Sequence, residues 1–331
     1  MKFKQIIGID VSKLTLYVYL YKGAKASSFK NTDAGIMKLL KWMAKNNPCE
    51  SSQSLLVIEH TGLYSYKLAL LLSREGIAFT MVSGLALKRS MGIVRGKSDP
   101  MDAKAIAQYG YRLREELQPT VLADSTLMEL KQLLTLRKKM VKDRTGYKCT
   151  LKEQQQILGL KDDHILISAQ RALIEELSKR IRAVEKQCKA LIKSVPALEQ
   201  LFKWITSIKG IGPHTGWHLI AVTEGFKKFH RWRDFASYAG TAPFPYQSGT
   251  SIKGRTKVSH LANKNMKKLL TMCALSAIRH DREIKEYYQR KLEEKKHKMV
   301  IINAVRNKLI ARVFAVVKRQ SPFVDTCKFA A

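Results

Sequence analysis

Apolar residues recur with two different periods along this chain, and the change of period divides it. In the first third the pattern is of short runs. Residues 4–11 are apolar up to Asp10, and residues 14–21 alternate Leu and Val with Tyr. A turn at Lys22-Gly23 leads to a third short strand ending near Lys30. Asn31-Thr32-Asp33 reads as a helix start, with Ile36, Leu39, Leu40 and Met43 at helical spacing and Pro48 beyond the end. A strand over 54–59, a helix over 63–74, a strand over 77–82 and helical patterns over 84–91 and 99–113 follow.

The order βββ-α-β-α-β-α predicts an α/β domain of the ribonuclease H-like kind over residues 1–122. The period then lengthens. Residues 126–158 and 165–194 carry Leu, Ile and Val at helical spacing, interrupted by Gly159 and the stretch Lys161-Asp162-Asp163-His164. They predict two long helices, an antiparallel coiled-coil arm over 123–195 that serves as a spacer or a dimerisation element. Pro196 opens a third, mostly α-helical domain over 196–331, with helical patterns at about 260–280, 282–296 and 298–319.

Charge changes the picture. The 331 residues include 60 Lys+Arg against 27 Asp+Glu, a formal charge of +33. Between Ser251 and Gln320 there are 19 Lys/Arg and 5 Asp/Glu. Such an excess calls for a polyanionic partner, by default nucleic acid. No run approaches the roughly 18 apolar residues of a membrane span. The most apolar late stretch, Met299–Val317, is broken by Arg306, Lys308 and Arg312. The start of the chain runs directly into a strand pattern without a signal-peptide layout, so a cytoplasmic location is expected. Cys49, Cys149, Cys188, Cys273 and Cys327 are scattered and form no CxxC pair, which argues against a zinc site or a disulfide framework.

Against this basic background four acids stand out. Asp10 and Glu59 each end an apolar run, and Asp99 and Asp102 are three apart, on one face of a helix. Carboxylates brought together this way repel one another unless they share a divalent cation. Mg²⁺ prefers oxygen ligands and bridges carboxylates to phosphate. Taken singly, Asp99-Pro100 also suits a helix N-terminus, with Asp99 as N-cap. Lys97 and Lys104 flank the pair as phosphate contacts or as solvated charges.

Two further motifs lie in the last region. Ile208-Lys209-Gly210-Ile211-Gly212-Pro213 matches a helix-hairpin-helix turn, whose glycines let the backbone approach phosphate and whose second helix offers free N–H groups. Lys209, Gly210 and Gly212 are its candidate contacts. His214 and His218 are four apart, but no HExxH pattern accompanies them, and His214 reads as part of the hairpin. The second motif, Gly240-Thr-Ala-Pro243 to Gln247-Ser248-Gly249, is a Gly-flanked loop followed by Lys253, Arg255 and Lys257. A serine there could attack phosphate with the cations stabilising the developing charge, although Ser and Gly are common in any loop. The chain contains no GxxxxGK[ST] phosphate loop.

Together these motifs resemble the DEDD transposases of the insertion-sequence 110 type, which include Piv-type DNA invertases. The resemblance rests on Gly-Ile-Asp10-Val-Ser, Ile-Glu59-His-Thr-Gly, Lys-Ser-Asp99-Pro-Met-Asp102-Ala, Ile-Lys-Gly210-Ile-Gly212-Pro, Tyr-Ala-Gly240-Thr-Ala-Pro and Gln-Ser248-Gly249. It implies that Asp10, Glu59, Asp99 and Asp102 bind Mg²⁺. It implies that Ser248 is a nucleophile forming a covalent protein–DNA intermediate, with Ser251 as the fallback. It also implies donor and target double-stranded DNA, a structured guide (bridge) RNA, and a homodimer or homotetramer. The alternative is a RuvC-like endonuclease that hydrolyses branched DNA with two metals.

Overall fold

A computed structural model describes residues 3–90, 92, 98–122, 124–249 and 252–325, without the side chains of Ser248, Ile252, Lys253 and Arg255. The chain divides into two compact units, Met1–Leu122 and Ala123–Ala331.

The first unit is built on a five-stranded sheet, ordered β3-β2-β1-β4-β5. The strands are β1 (Gln5–Val11), β2 (Thr15–Leu20), β3 (Ala26–Lys30), β4 (Ser54–Glu59) and β5 (Phe79–Val82). Helices α1 (Asp33–Asn46), α2 (Leu63–Arg74), α3 (Gly84–Ser90) and α4 (Asp99–Arg112) complete it. β2 runs antiparallel to β1 and β3, while β4 runs parallel to β1 and to β5. This is the expected ribonuclease H-like order, with β5 starting two residues later than the apolar pattern suggests. β1 is buried almost end to end, as a central strand covered on both faces must be.

The two faces have different tenants. Ile7, Ile9, Leu56 and Ile58 pack with Ile36 and Leu39 of α1 and Leu68 and Leu72 of α2. On the other face Ile6, Leu55 and Val57 pack with Leu87 of α3 and Ile106 and Tyr109 of α4. α4 comes in at backbone distance because small residues line the contact. A methyl group on Gly8 would lie 2.2 Å from the Ala103 carbonyl oxygen and 2.4 Å from the Ala107 nitrogen. One on Gly110 would meet Val57 and Ile6 at 2.6 and 2.8 Å.

The second unit holds α5 (Ser125–Leu158), α6 (Ile165–Ser194), α7 (Pro196–Thr206), α8 (Pro213–Thr223), α9 (Trp232–Tyr238), β6 (Pro243–Ser248), β7 (Ile252–Val258), α10 (Lys264–His280), α11 (Arg282–Glu293) and α12 (Lys298–Arg319). α5, of 34 residues, is about 50 Å long. Gly159, at φ +60°, ends it, and α6 returns alongside. The pair is not a separate body. Leu127, Leu130 and Leu134 of α5 and Val184, Cys188 and Ile192 of α6 share one core with Ile205, Trp217, Phe235, Leu270, Val305 and Leu309. The expected boundary near residue 195 is thus a change of helix inside one unit. Near the far end of the pair Ile157, Leu158, Ile165 and Leu166 are exposed, while Ile167 stays buried.

The Gly-flanked serine segment is more ordered than the loop expected: β6 and β7 form an antiparallel hairpin, with Ser248 ending β6 opposite Ile252, Gly249 in the turn, and a register shift between Phe244 and Tyr246.

The approach of α4 gives a direct prediction. Gly8→Ala should destabilise the first unit by about 2 kcal/mol or more, because a methyl group meets backbone rather than a movable side chain. Gly146→Ala, on α5 with open space around it, should instead stabilise by up to about 1 kcal/mol. Urea unfolding of the full chain, followed by hydrogen exchange, reads both. Equal effects would contradict the packing described.

Candidate metal centre and hairpin

The metal-site candidates come from three elements of the first unit. Asp10 is the penultimate residue of β1 and Glu59 the last of β4. Ile9 pairs with Ile58 in the parallel register, so Asp10 and Glu59 are the next neighbours along it. They leave the sheet on the face that carries Gly8 and Val57, the face covered by α4. Asp99 and Asp102 occupy the first turn of α4. Ser98, not Asp99, is the N-cap residue. Asp99 is already inside the helix, where the N-terminal dipole favours a carboxylate.

The close packing of α4 on Gly8 brings these acids together. Carboxylate oxygens of Asp10, Asp99 and Asp102 lie within 4.8 Å of one another. Asp10 is partly buried, Asp102 partly buried and Asp99 exposed. Burial, and then the charges of Glu59, Asp102 and Asp99, push the Asp10 carboxyl from its ordinary value of 3.8 up to about 6, against a hydrogen bond from the Val11 backbone that pulls the other way. Three carboxylates at this spacing, with the Glu59 charge nearby, repel one another. A hard divalent cation among them removes the repulsion and suits an all-oxygen donor set.

Glu59 stands slightly apart from the three aspartates. Its charge reaches Asp10, while its Oε1 rests against Gly84, where a methyl group would come within 2.3 Å. Gly84 therefore makes room for Glu59 at the start of α3. Neither Gly8 nor Gly84 was singled out by the sequence. For Gly8 the signal was present: a glycine two residues before a strand-end acid lies on the same face as that acid.

In the second unit, α7 and α8 are joined by the turn containing Gly210 and Gly212. The two glycines serve different ends. Gly210, at φ +94°, faces α10, where a methyl group would sit 2.8 Å from the Cys273 carbonyl oxygen and from Ala277 Cβ. Its freedom is used for helix packing. Gly212 is exposed, with open space at its Cα, and is the N-cap residue of α8. Lys209 Nζ donates to Asp325 Oδ2 at 2.6 Å. His214 and His218 are not a metal pair. Arg137 Nη1 lies 2.6 Å from His214 Nε2, and Arg137 also binds Glu185. Burial, helped by Arg137 for His214 and by His214 for His218, drives both imidazoles down to about 4, so both are neutral at physiological pH.

The backbone of Ser248 ends β6. Its side chain and those of Lys253 and Arg255 fall outside the described residues, as do Lys97 and Ser251 altogether. Lys257, paired with Phe244, is exposed, and so are the aromatic rings of Phe244 and Tyr246 on the same hairpin. Among the described residues, no helix is long and apolar enough to cross a membrane.

Comparison with known proteins gives two family matches, the first of which runs past Leu122 to the end of α5. Residues 7–158 match the DEDD transposase profile of the insertion element IS110 type, and residues 203–289 match the profile described as Transposase IS116/IS110/IS902 family. Pilin gene-inverting proteins of Moraxella bovis and Moraxella lacunata are each 29% identical over 328 residues, 97% of this chain and 98% of theirs. An insertion element IS110 protein of Streptomyces coelicolor is 27% identical over 46% of this chain and 37% of its own length. A Thermus thermophilus RuvC structure in complex with a Holliday junction substrate aligns with 99% of its length on 36% of this chain, at 12% identity and a TM-score of 0.27. The chain belongs to the IS110-type DEDD transposases, enzymes that cut and rejoin DNA.

Proposed function

We propose that this chain is an insertion-sequence transposase that recombines DNA through a serine-linked intermediate, with Mg²⁺ at its acidic cluster. The observation that carries the reading is the convergence of Asp10, Asp99 and Asp102, with Glu59 beside them, in a chain whose two family matches span both the acids and the serine segment. Bound there, Mg²⁺ would stabilise the charge that develops on the phosphate oxygens. Asp10, Asp99 and Asp102 would hold it, and Glu59, one strand position away, would complete the set.

The nucleophile in this reading is the Ser248 hydroxyl. Its Oγ–phosphorus bond forms as the bond from phosphorus to the leaving deoxyribose oxygen breaks. The proton given up by the serine ends on that leaving oxygen. The phosphoserine bond conserves the energy of the phosphodiester, so rejoining to a second duplex needs no nucleotide cofactor. Lys253, Arg255 and Lys257, on the strand that returns from Ser248, would hold the DNA backbone. The exposed Gly212, at the start of α8, would admit another phosphate. Lys209, bound to Asp325, would contribute only after releasing that carboxylate. Donor and target duplexes, a structured guide RNA and a homodimer or homotetramer belong to the same proposal. The +33 charge supports the polyanions.

A trapping experiment tests the serine. Incubating the protein with Mg²⁺, labelled junction DNA and RNA transcribed from the element's noncoding end should yield label that migrates with protein on a denaturing gel. Ser248→Ala should abolish that adduct, and Asp10→Asn should reduce it by at least about 100-fold. Cleavage without any adduct would instead indicate hydrolysis by a RuvC-like endonuclease.

The raised Asp10 carboxyl sets a pH signature. Without metal the folded chain holds the Asp10 proton more tightly than the unfolded chain does. Its stability should therefore fall as pH rises from about 4 through about 6. Mg²⁺ competes with that proton, so the increase in melting temperature on adding Mg²⁺ should be small near pH 5 and larger near pH 7.5. Asp10→Asn should flatten both trends. An Mg²⁺ effect independent of pH would contradict the assignment.

A further inference from the structure

A cation without a carboxylate partner is buried in the second unit. Arg306 of α12 is 4% exposed. Its Nη1 donates to Asn303 Oδ1 at 3.2 Å, and its Nε has no acceptor. No side-chain carboxylate pairs with it among the described residues, which include every Asp and Glu of the chain. A guanidinium does not lose its proton to escape burial, so an unpaired one is strongly unfavourable. The contrast on the same helix is Arg312, which donates to Asp281 at 2.7 Å and to Glu283 at 2.5 Å.

A second cation adjoins it. Lys267 of α10 is partly buried and likewise has no ion pair among the described residues. Burial first, and the Arg306 charge second, hold its ammonium below the ordinary lysine value. The surroundings are neutral and polar. Asn303 and Asn307, on the same face of α12 as Arg306, donate to the Thr241 carbonyl oxygen at 2.8 and 3.0 Å. The Thr241 hydroxyl donates to Asn307 Oδ1 at 2.8 Å.

The place in the fold matters as much as the charge. Thr241 leads into β6, and Asn263 follows β7. The Asn263 backbone N–H donates to the Tyr238 carbonyl at 2.8 Å, and its side-chain amide donates to the Tyr238 hydroxyl at 2.8 Å. A methyl group on Gly240 would lie 2.4 Å from Ala262 Cβ and 3.8 Å from Lys267 Cδ. The two segments that enter and leave the β6–β7 hairpin are thus fastened together, and the cations sit at that root.

We propose that Arg306 and Lys267 form an anion pocket that takes a backbone phosphate of the bound nucleic acid and so fixes the root of the β6–β7 hairpin against it. Arg306 supplies the unsatisfied N–H and Lys267 the second charge. Both are positioning residues. The role in placing Ser248 rests on the serine reading above; the phosphate site itself does not.

The test compares the full chain with Arg306→Met, Lys267→Met and Lys296→Met, the last removing the same charge from an exposed position. Inorganic phosphate, relative to chloride at equal ionic strength, should raise the melting temperature of the parent chain and of Lys296→Met, but not of the other two. Nucleic-acid affinity of Arg306→Met and Lys267→Met should fall about tenfold, and the slope of log affinity against log salt should drop by about 1. Duplex DNA and guide RNA are titrated separately, and the polymer that shows the loss supplies the phosphate. Arg306→Met should melt no lower than the parent in chloride, since it removes an unpaired charge. Should it fail to fold, Lys267→Met decides alone. Phosphate effects and salt slopes equal to those of Lys296→Met would overturn the pocket. A parent chain that binds DNA with these slopes but forms no adduct would sink the serine reading and leave the pocket standing.

Discussion

The structure of the first unit depends on one close contact, the seating of α4 on β1 across Gly8. Strand β1 can carry Asp10 to the edge of the sheet without help. Asp99 and Asp102 reach it because α4 packs backbone to backbone, with Ala103 and Ala107 over Gly8 and Gly110 over Ile6 and Val57. The spacing is mechanical. Asp102 precedes Ala103 directly, so the helix turn pressed onto the sheet is the turn that bears the acids. A larger side chain at any of these small residues lifts the helix and with it two of the four carboxylates.

That contact concentrates negative charge in a chain of opposite character. Burial, and after it the neighbouring acids, raise the Asp10 carboxyl to about 6, a cost that a bound cation would relieve. The second unit shows the inverse arrangement at Arg306 and Lys267, where cations lack carboxylates. Each imbalance implies a ligand of the opposite sign. Phosphodiester chemistry accounts for both, since a divalent ion answers the acids and a phosphate answers the guanidinium. Arg137 and Arg312, by contrast, are held by Glu185 and Asp281.

Much of this was legible in the sequence because it was local. Strand-end acids, an i,i+3 pair and the order of elements follow from residue spacing, and the sheet order agrees with them. Most of the failures concern contacts made by residues far apart in the chain; the hairpin, whose partners are 4 to 15 residues apart, is the local exception. The segment from Gly240 to Gly249 reads as a loop, yet Pro243–Ser248 pairs with Ile252–Val258 as a strand. Gly210 reads as a phosphate-facing glycine, but α10 packs against it. Arg306 is visible only as a break in an apolar stretch. Its burial and missing partner emerge once α10, α12 and the hairpin root are assembled. The arm shares its core with the helices after Pro196, which helical periodicity alone could not reveal.

The most direct test of the central claim is the location of a bound ion. Crystals of the protein grown with Mn²⁺ in place of Mg²⁺ would show it by anomalous scattering. The account predicts a peak at about 2 Å from carboxylate oxygens of Asp10, Asp99 and Asp102, lost in Gly8→Ala. An ion held elsewhere, or none while Asp10 pairs with a lysine or arginine instead, would contradict it.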